Sequence, residues 1–320
     1  MKLTIIVPVY GVEKYIEKCI SSLLVPNCYE YEILVVDDGT KDRSIDIVKE
    51  NFCDSRIRIV HQENAGLSAA RNFGVMEAKG DYVWFFDSDD WADTEKIPQI
   101  IKMLGDCEAL ALSHHYMNYD SLEQSVHGYT TNAQTGLELI SQVFVPCAPF
   151  YIYKRDFLIN NGCFFEKGLL HEDMLFTSTT LPLVKKLQIY TSPVYHHYMR
   201  EGSITHSYSP KRIMDCLYIL NKLVNYGKTS IPKKNKYKWG KCIVAQLNGL
   251  LYLTYHSVDK ELKNHVYKYI NGNFQLLKYL IRSWKINEMI WGLLALLFGC
   301  KIATVYNILY KMKYRHKYIC

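Results

Sequence analysis

The stretch "DYVWFFDSDD", residues 81–90, runs five aromatic or apolar residues directly into three carboxylates. An unbroken apolar run from Tyr82 to Phe86 is the pattern of a strand buried on both faces. The segments before it fit the same scheme. "GLSAARNFGVMEAKG" (66–80) reads as a helix closed by glycine, and "RIRIVHQEN" (56–64) reads as a strand. "YEILVVDDG" (31–39) is another buried strand that ends in carboxylates. "LTIIVPVY" (3–10) is a third, followed by a helix with Ile16, Ile20, Leu23 and Leu24 at helical spacing. Strands alternating with helices predict a parallel α/β sheet, whose right-handed crossovers bring the strand ends to one edge. Ligands of such sheets bind beyond the carboxyl ends of the strands. Tyr10, Asp37, Asp38 and residues 87–90 all fall there.

Three carboxylates so close repel one another unless a cation or a satisfied loop holds them. A solvated turn is the plain reading, since Asp and Ser are ordinary turn residues. The strongly apolar strand before them favours a metal site instead. No G-x-G-x-x-G follows the first strand and no G-x-x-x-x-G-K-[ST] occurs, so dinucleotide and P-loop sites have no support. Carboxylates alone cannot hold a diphosphate. A hard divalent ion, Mg2+ or Mn2+, removes the conflict because it prefers oxygen ligands and phosphate. The edge therefore fits a nucleotide diphosphate bridged through metal to Asp89.

"TIIVPVYGVEKYI", "EILVVDDGTKDRS", "NAGLSAARNFG" and "DYVWFFDSDD" resemble, in order, the motifs of family-two glycosyltransferases with the A-type fold. The resemblance covers about the first 105 residues and resumes at "HEDMLF" (171–176) and "YMREGSITH" (198–206). Gly11 departs from it, since asparagine usually follows "PVY" in the family. The resemblance implies a mixed, mostly parallel sheet flanked by helices, with a Rossmann-like nucleotide-binding half and a C-terminal helical region. It implies that Pro8, Tyr10 and Glu13 line the nucleobase pocket and that Asp38 accepts from the base. Arg71 would approach the diphosphate or ribose. Asp87 and Asp89 would form the D-x-D motif, with Asp89 on the metal. Asp173 would be the catalytic base, beside Glu172 on the acceptor side. Arg200, Ser203 and Thr205 would close over the diphosphate. The implied reaction moves a sugar from a nucleotide diphosphate, a UDP-sugar foremost, to a hydroxyl with inversion. The resemblance also implies a context, since bacterial relatives with this layout commonly build capsular, exopolysaccharide, lipopolysaccharide or cell-wall polymers on lipid-linked or oligosaccharide acceptors.

The chemistry agrees. A hydroxyl is a poor nucleophile until a base removes its proton, and a bound cation stabilises the departing diphosphate. Other readings compete at several positions. Residues 37–39 could be a plain turn, Glu172 and Asp173 a dipole-favoured helix start, and Arg71 a structural ion pair. His196, His197 and His206 could ligate metal, but lone histidines are more often structural, and that is the preferred reading. Trp91 could be core or a platform for an acceptor sugar, and we favour the platform. Two alternative functions remain: a metal-dependent nucleotidyl or phosphoryl transferase, and a nucleic-acid-binding protein acting through a basic tail.

The chain has 320 residues, 49% hydrophobic and 22% charged, a globular composition. Ten cysteines without a C-x-x-C pair predict buried thiols in a reducing compartment. The first residues read as a buried strand, not a signal peptide. Charge divides sharply. Residues 1–205 hold 18 Lys+Arg against 28 Asp+Glu, net −10, and residues 206–320 hold 20 against 4, net +16. We expect a nucleotide-sugar-binding half at 1–106, an acceptor half with the base at 107–205, and a basic helical tail at 206–320. Within the tail, residues 228–241 read as a basic linker. The apolar run 289–300 is shorter than the roughly 20 residues a spanning helix needs. With the basic residues at 311–317 it predicts a peripheral attachment at the cytoplasmic face of the membrane. No nucleic-acid partner is expected.

Overall fold

The computed structural model describes residues 1–118, 124–199, 209–273 and 276. Arg200, Ser203 and Thr205, the apolar run 289–300 and the basic residues at 311–317 lie outside the described residues. The chain divides into two compact units, Met1–His206 and Ser207–Cys320.

In the first unit, β1 (Leu3–Val9) is buried at all seven positions. It pairs in parallel with β2 (Tyr31–Asp37) on one side and β4 (Tyr82–Phe85) on the other. Parallel β3 (Ile57–His61) lies outside β2. The helices after these strands are α1 (Ile16–Leu23), α2 (Ser44–Asn51) and α3 (Leu67–Glu77). α1 buries Ile16, Cys19, Ile20 and Leu23, the apolar stripe expected at helical spacing. Beyond β4 the same sheet continues through β8 (Tyr151–Lys154), β6 (Ala109–Asn118), β9 (Leu187–Met199) and β5 (Trp91–Ala92). β7 (Gln124–His127) pairs with β6 as a hairpin arm. The sheet is mixed: β8 runs antiparallel to β4 and β6, and β9 runs parallel to β6. One sheet thus spans both sides of residue 106. Further helices are α4 (Ile97–Met103), α5 (Gly136–Gln142), α6 (Arg155–Asn160) and α7 (Glu172–Thr180).

Trp84, Phe85 and Phe86 are wholly removed from water. Each phenylalanine contributes about 1.5–3 kcal/mol from burial. The indole N–H of Trp84 donates to the Pro149 carbonyl at 2.8 Å, so its one polar atom is satisfied. This anchoring holds the strand end still where the carboxylates begin.

The glycine expected to close the third helix has a different role. α3 ends at Glu77, and Ala78 after it is already extended. A Cβ on Gly80 would stand 2.5 Å from the Leu3 carbonyl carbon and the Thr4 nitrogen. Gly80 is therefore required by close approach to β1, and its N–H donates to Thr4 Oγ1 at 2.9 Å.

In the second unit, α8 (Pro210–Thr229) is capped by Ser209, whose hydroxyl accepts from the Arg212 N–H at 3.2 Å. α9 (Lys236–His256) packs on it, with buried Trp239 against Gly227. α10 (Lys260–Gly272) follows, capped by Asp259. The basic linker expected at 228–241 is corrected here. Lys236, Lys238 and Lys241 belong to α9, and Lys228 belongs to α8. The apolar residues interleaved with them, notably Trp239, make helix packing outweigh charge repulsion.

Candidate active site

The acidic loop leaves the sheet at Asp87, just after the Phe86 N–H donates to the Ile6 carbonyl at 2.9 Å. A turn closes when the Asp90 N–H donates to the Asp87 carbonyl at 3.1 Å. The three carboxylates then divide by environment. Asp90 is only 1% exposed. Its Oδ1 accepts from the Tyr198 N–H at 2.7 Å, and its Oδ2 accepts from His197 Nδ1 at 3.2 Å and from the Tyr195 hydroxyl. Burial pushes the Asp90 carboxyl up. Burial also opposes charge on His197, yet the hydrogen bond and charge of Asp90 carry it up to about 9. Asp90 thus ties the loop to β9, while Asp87 and Asp89 stay half-exposed at the edge.

Arg71 stands on α3, 1% exposed, and its guanidinium binds three carboxylates. Nη2 donates to Asp87 Oδ1 at 2.6 Å. Nη1 donates to Glu172 Oε1 and to Asp173 Oδ1, both at 2.7 Å. Burial works against the charge of Arg71, but Asp173, Asp87 and Glu172 hold it well above its ordinary value. Its Nε has no hydrogen-bond partner among the described residues. One guanidinium thereby joins the D-x-D loop to the start of α7, across more than 80 residues of chain.

At α7 the second oxygen of Asp173 accepts from the Ala148 N–H at 3.0 Å. Burial raises the Asp173 carboxyl, opposed by Arg71 and reinforced by Asp87. Burial and the charge of Asp173 push Glu172 up to about 7, against the pull of Arg71. His171 precedes the pair with φ 65°, ψ 36°, left-handed backbone in a residue with a Cβ. Such a conformation costs on the order of 1 kcal/mol and persists where surrounding structure enforces it.

On the donor side Pro8 is buried in β1 and Tyr10, just past its end, is 53% exposed. Asp38 is 3% exposed and grips the loop after β3. Its carboxylate accepts from Gln62 Nε2 at 2.6 Å and from the Ala65 and Gly66 N–H groups at 2.9 Å each. Glu13 Oε2 accepts from the Arg43 N–H at 3.1 Å. Gly11 sits at φ +68° with open space where a side chain would go, and its N–H donates to Thr40 Oγ1 at 2.9 Å. Trp91 carries the Lys18 ammonium 3.0 Å above its ring centroid and stacks with His196 at 5.4 Å.

Sequence reading missed Asp42, which receives the Glu13 N–H, the Thr40 and Ser44 hydroxyls and the Ser44 N–H. Against burial, these hydrogen bonds hold its carboxyl at about 2. The T-x-D-x-S spacing was the available signal. It also missed the partnership of Asp90 with Tyr195 and His197, which no local pattern marks.

Residues 4–162 match the family model described as Glycosyl transferase family 2. Glycosyltransferase GlyA of Streptococcus pneumoniae is 33% identical over 232 residues, which is 66% of this chain and 32% of GlyA. Putative glycosyltransferase EpsH of Bacillus subtilis is 28% identical over 219 residues, 65% of this chain and 64% of EpsH. The chain thus spans from about a third to just under two thirds of these relatives. A crystal structure of Staphylococcus aureus TarS 1–349 in complex with UDP-GlcNAc has TM-score 0.72 at 20% identity, covering 98% of this chain and 92% of that one. Mannosyltransferase PcManGT from Pyrobaculum calidifontis, in complex with GDP-Man and Mn2+, has TM-score 0.53 at 15% identity, covering 96% and 87%. The two structural likenesses establish the A-type fold. Nothing among these relatives supports the nucleotidyl-transferase or nucleic-acid readings. With its motifs on that fold and its match over residues 4–162, this chain carries a family-two glycosyltransferase domain.

Proposed function

We propose that this chain moves a glycosyl group from a nucleoside diphosphate sugar, a UDP-sugar foremost, to an acceptor hydroxyl with inversion. The observation that carries this reading is the Arg71 guanidinium, which joins Asp87 of the acidic loop to Asp173 within single hydrogen bonds. A donor seated at the loop therefore has a carboxylate base beside it. Asp173 takes the proton from the acceptor hydroxyl during attack. One base suffices for direct displacement, which inverts the anomeric carbon, and inversion rests on the family resemblance. Tyr10 stacks on the base, with Pro8, Glu13 and Asp38 shaping its pocket. Glu172 and Trp91 face the acceptor.

The donor set at the loop suits a hard divalent ion, since Asp87 and Asp89 supply only oxygen and stand half-exposed. Asp89 would hold Mg2+ or Mn2+, which neutralises charge growing on the leaving diphosphate. The family resemblance would assign Arg200, Ser203 and Thr205, outside the described residues, to that diphosphate. The acceptor is lipid-linked or an oligosaccharide, in bacterial surface polysaccharide synthesis, and the basic second unit docks on the inner face of the membrane. Among the described residues no helix is long and apolar enough to cross a membrane.

The test is a panel of nucleotide sugars, each with Mg2+ or Mn2+, scored for transfer or hydrolysis and followed by NMR of the anomeric proton. Metal-dependent turnover of one donor with inverted product is expected. Retained configuration, or release of pyrophosphate, overturns the reading.

A further inference from the structure

Asp93, His115 and His196 come together from three separate elements. Asp93 follows β5, His115 lies on β6 and His196 on β9. Register makes His115 the direct cross-strand neighbour of His196, and His196 the neighbour of Trp91. One potential ligand atom from each of the three lies within 4.8 Å of the others. Asp93 is anchored in place because its N–H donates to the Val194 carbonyl at 2.9 Å.

We propose that Asp93, His115 and His196 form a second metal site, for a borderline transition ion such as Zn2+. Two imidazoles and one carboxylate are a donor set for zinc, cobalt or nickel, in contrast to the all-oxygen acidic loop, which suits magnesium or manganese. The cluster and the anchor of the acidic loop also use opposite faces of β9. Side chains alternate along a strand, so His196 and His197 leave opposite faces of β9. His197 serves Asp90 on one face, while His196 Nε2 meets Asp93 Oδ1 at 2.7 Å on the other.

A second observation points to a ligand. His115 Nδ1 is shut from solvent and has no hydrogen-bond partner among the described residues. An unsatisfied buried nitrogen is uncommon.

The geometry asks for one adjustment. The rings of His115 and His196 stack at 4.4 Å with 15° between planes, so their in-plane lone pairs run side by side. Zinc–nitrogen bonds of about 2.0–2.1 Å require the three ligand atoms, now within 4.8 Å of one another, to draw closer by rotation of a ring about its terminal torsion. That torsion is broad for histidine. A resident cation must also be accommodated. Lys96 Nζ donates to Asp93 Oδ2 at 2.6 Å and to the Pro193 carbonyl at 2.6 Å. Lys96 occupies one carboxylate oxygen, which leaves Oδ1 for the ion but reduces its affinity. When the ion binds, any proton on His196 Nε2 moves to Nδ1 or to solvent. The bound ion would clip the two-residue strand β5, and with it the acidic loop just before it, to β6 and β9.

The test uses the full chain carrying Asp89→Ala, so that the all-oxygen site does not contribute. Metal-free protein is titrated with Co2+ and then with Zn2+. One equivalent of Co2+ should give visible bands of low-symmetry nitrogen and oxygen ligation, displaced by Zn2+. His115→Phe keeps a flat ring in the stack and should weaken binding by about 100-fold or more, beyond the effect of losing an outer partner. Lys96→Met should tighten it. Circular dichroism shows whether each variant is folded, and His196→Phe supplies the independent second ligand test. No Co2+ spectrum in the folded parent overturns the proposal. So does a strong near-ultraviolet thiolate band, which would place the ion on a cysteine, or binding that survives both histidine substitutions.

Discussion

Arg71 Nη1 donates to Asp173 Oδ1 at 2.7 Å while Nη2 of the same group donates to Asp87 Oδ1 at 2.6 Å. Arg71 is 1% exposed. A buried guanidinium with three carboxylates is a charge network whose members depend on one another, so removing one is felt by all. Arg71→Met should destabilise the first unit by about 3–5 kcal/mol, read by urea denaturation. Arg71→Lys keeps the charge but loses the fork. It should leave a folded protein whose activity falls off at higher pH than wild type. The base must be ionised to work, and a weaker cation lets burial raise Asp173 further. An acid limb that stays in place would show that Arg71 does not tune the base.

Asp173→Asn preserves shape and the contact to the Ala148 N–H but cannot accept a proton. Donor binding should persist while transfer slows by roughly 10²–10⁴-fold, the usual range for general acid–base catalysis. Calorimetric donor titration beside a turnover assay separates the two. Collapse of affinity with normal turnover of bound donor would give Asp173 another role.

Asp89→Ala should abolish metal-dependent donor binding and turnover without unfolding the domain. The strand end there is anchored by Phe85, Phe86 and Asp90, all buried. Full activity in this variant, or in wild type with excess chelator, would sink the assignment.

Glu172 gives a pH signature in stability. Its carboxyl is carried from an ordinary 4.5 up to about 7 in the folded protein, chiefly by burial and then by Asp173. Between those values the folded state holds a proton that the unfolded state has released. Stability therefore declines as pH rises from about 4.5 to about 7, by a few kcal/mol at most. Glu172→Gln should flatten this slope in melts across that window. An unchanged slope would assign it to other groups.

Membrane docking is tested by flotation on anionic and neutral vesicles. Each Lys or Arg near an anionic surface contributes about 1 kcal/mol, so the net +16 after residue 205 suffices for binding that salt reverses. Protein that stays with the solvent on anionic vesicles removes the membrane from this account. Protein that resists alkaline carbonate extraction would instead span the bilayer.

What the sequence determined by itself was periodic or local. Continuous apolar runs at residues 5–10, 33–36 and 82–86 specified strands buried on both faces, because only such strands need no polar side. Alternation with helices then set β1, β2, β3 and β4 parallel, with Tyr10, Asp38 and Asp87 near one edge. Tertiary structure decided what each polar group meets there. Asp87, Asp89 and Asp90 look alike in sequence, yet only Asp90 is sealed by Tyr195 and His197, more than 100 residues away. Arg71 could be assigned to a diphosphate or to an ion pair until α7 brought Glu172 and Asp173 against it. Gly80 signalled a helix end, while the constraint was the backbone of β1 at its Cα. Apolar burial depends on a residue's own side chain and its periodic neighbours, so one sequence reveals it. The partner of a buried charge depends on which distant element the chain folds against it, and no local pattern encodes that.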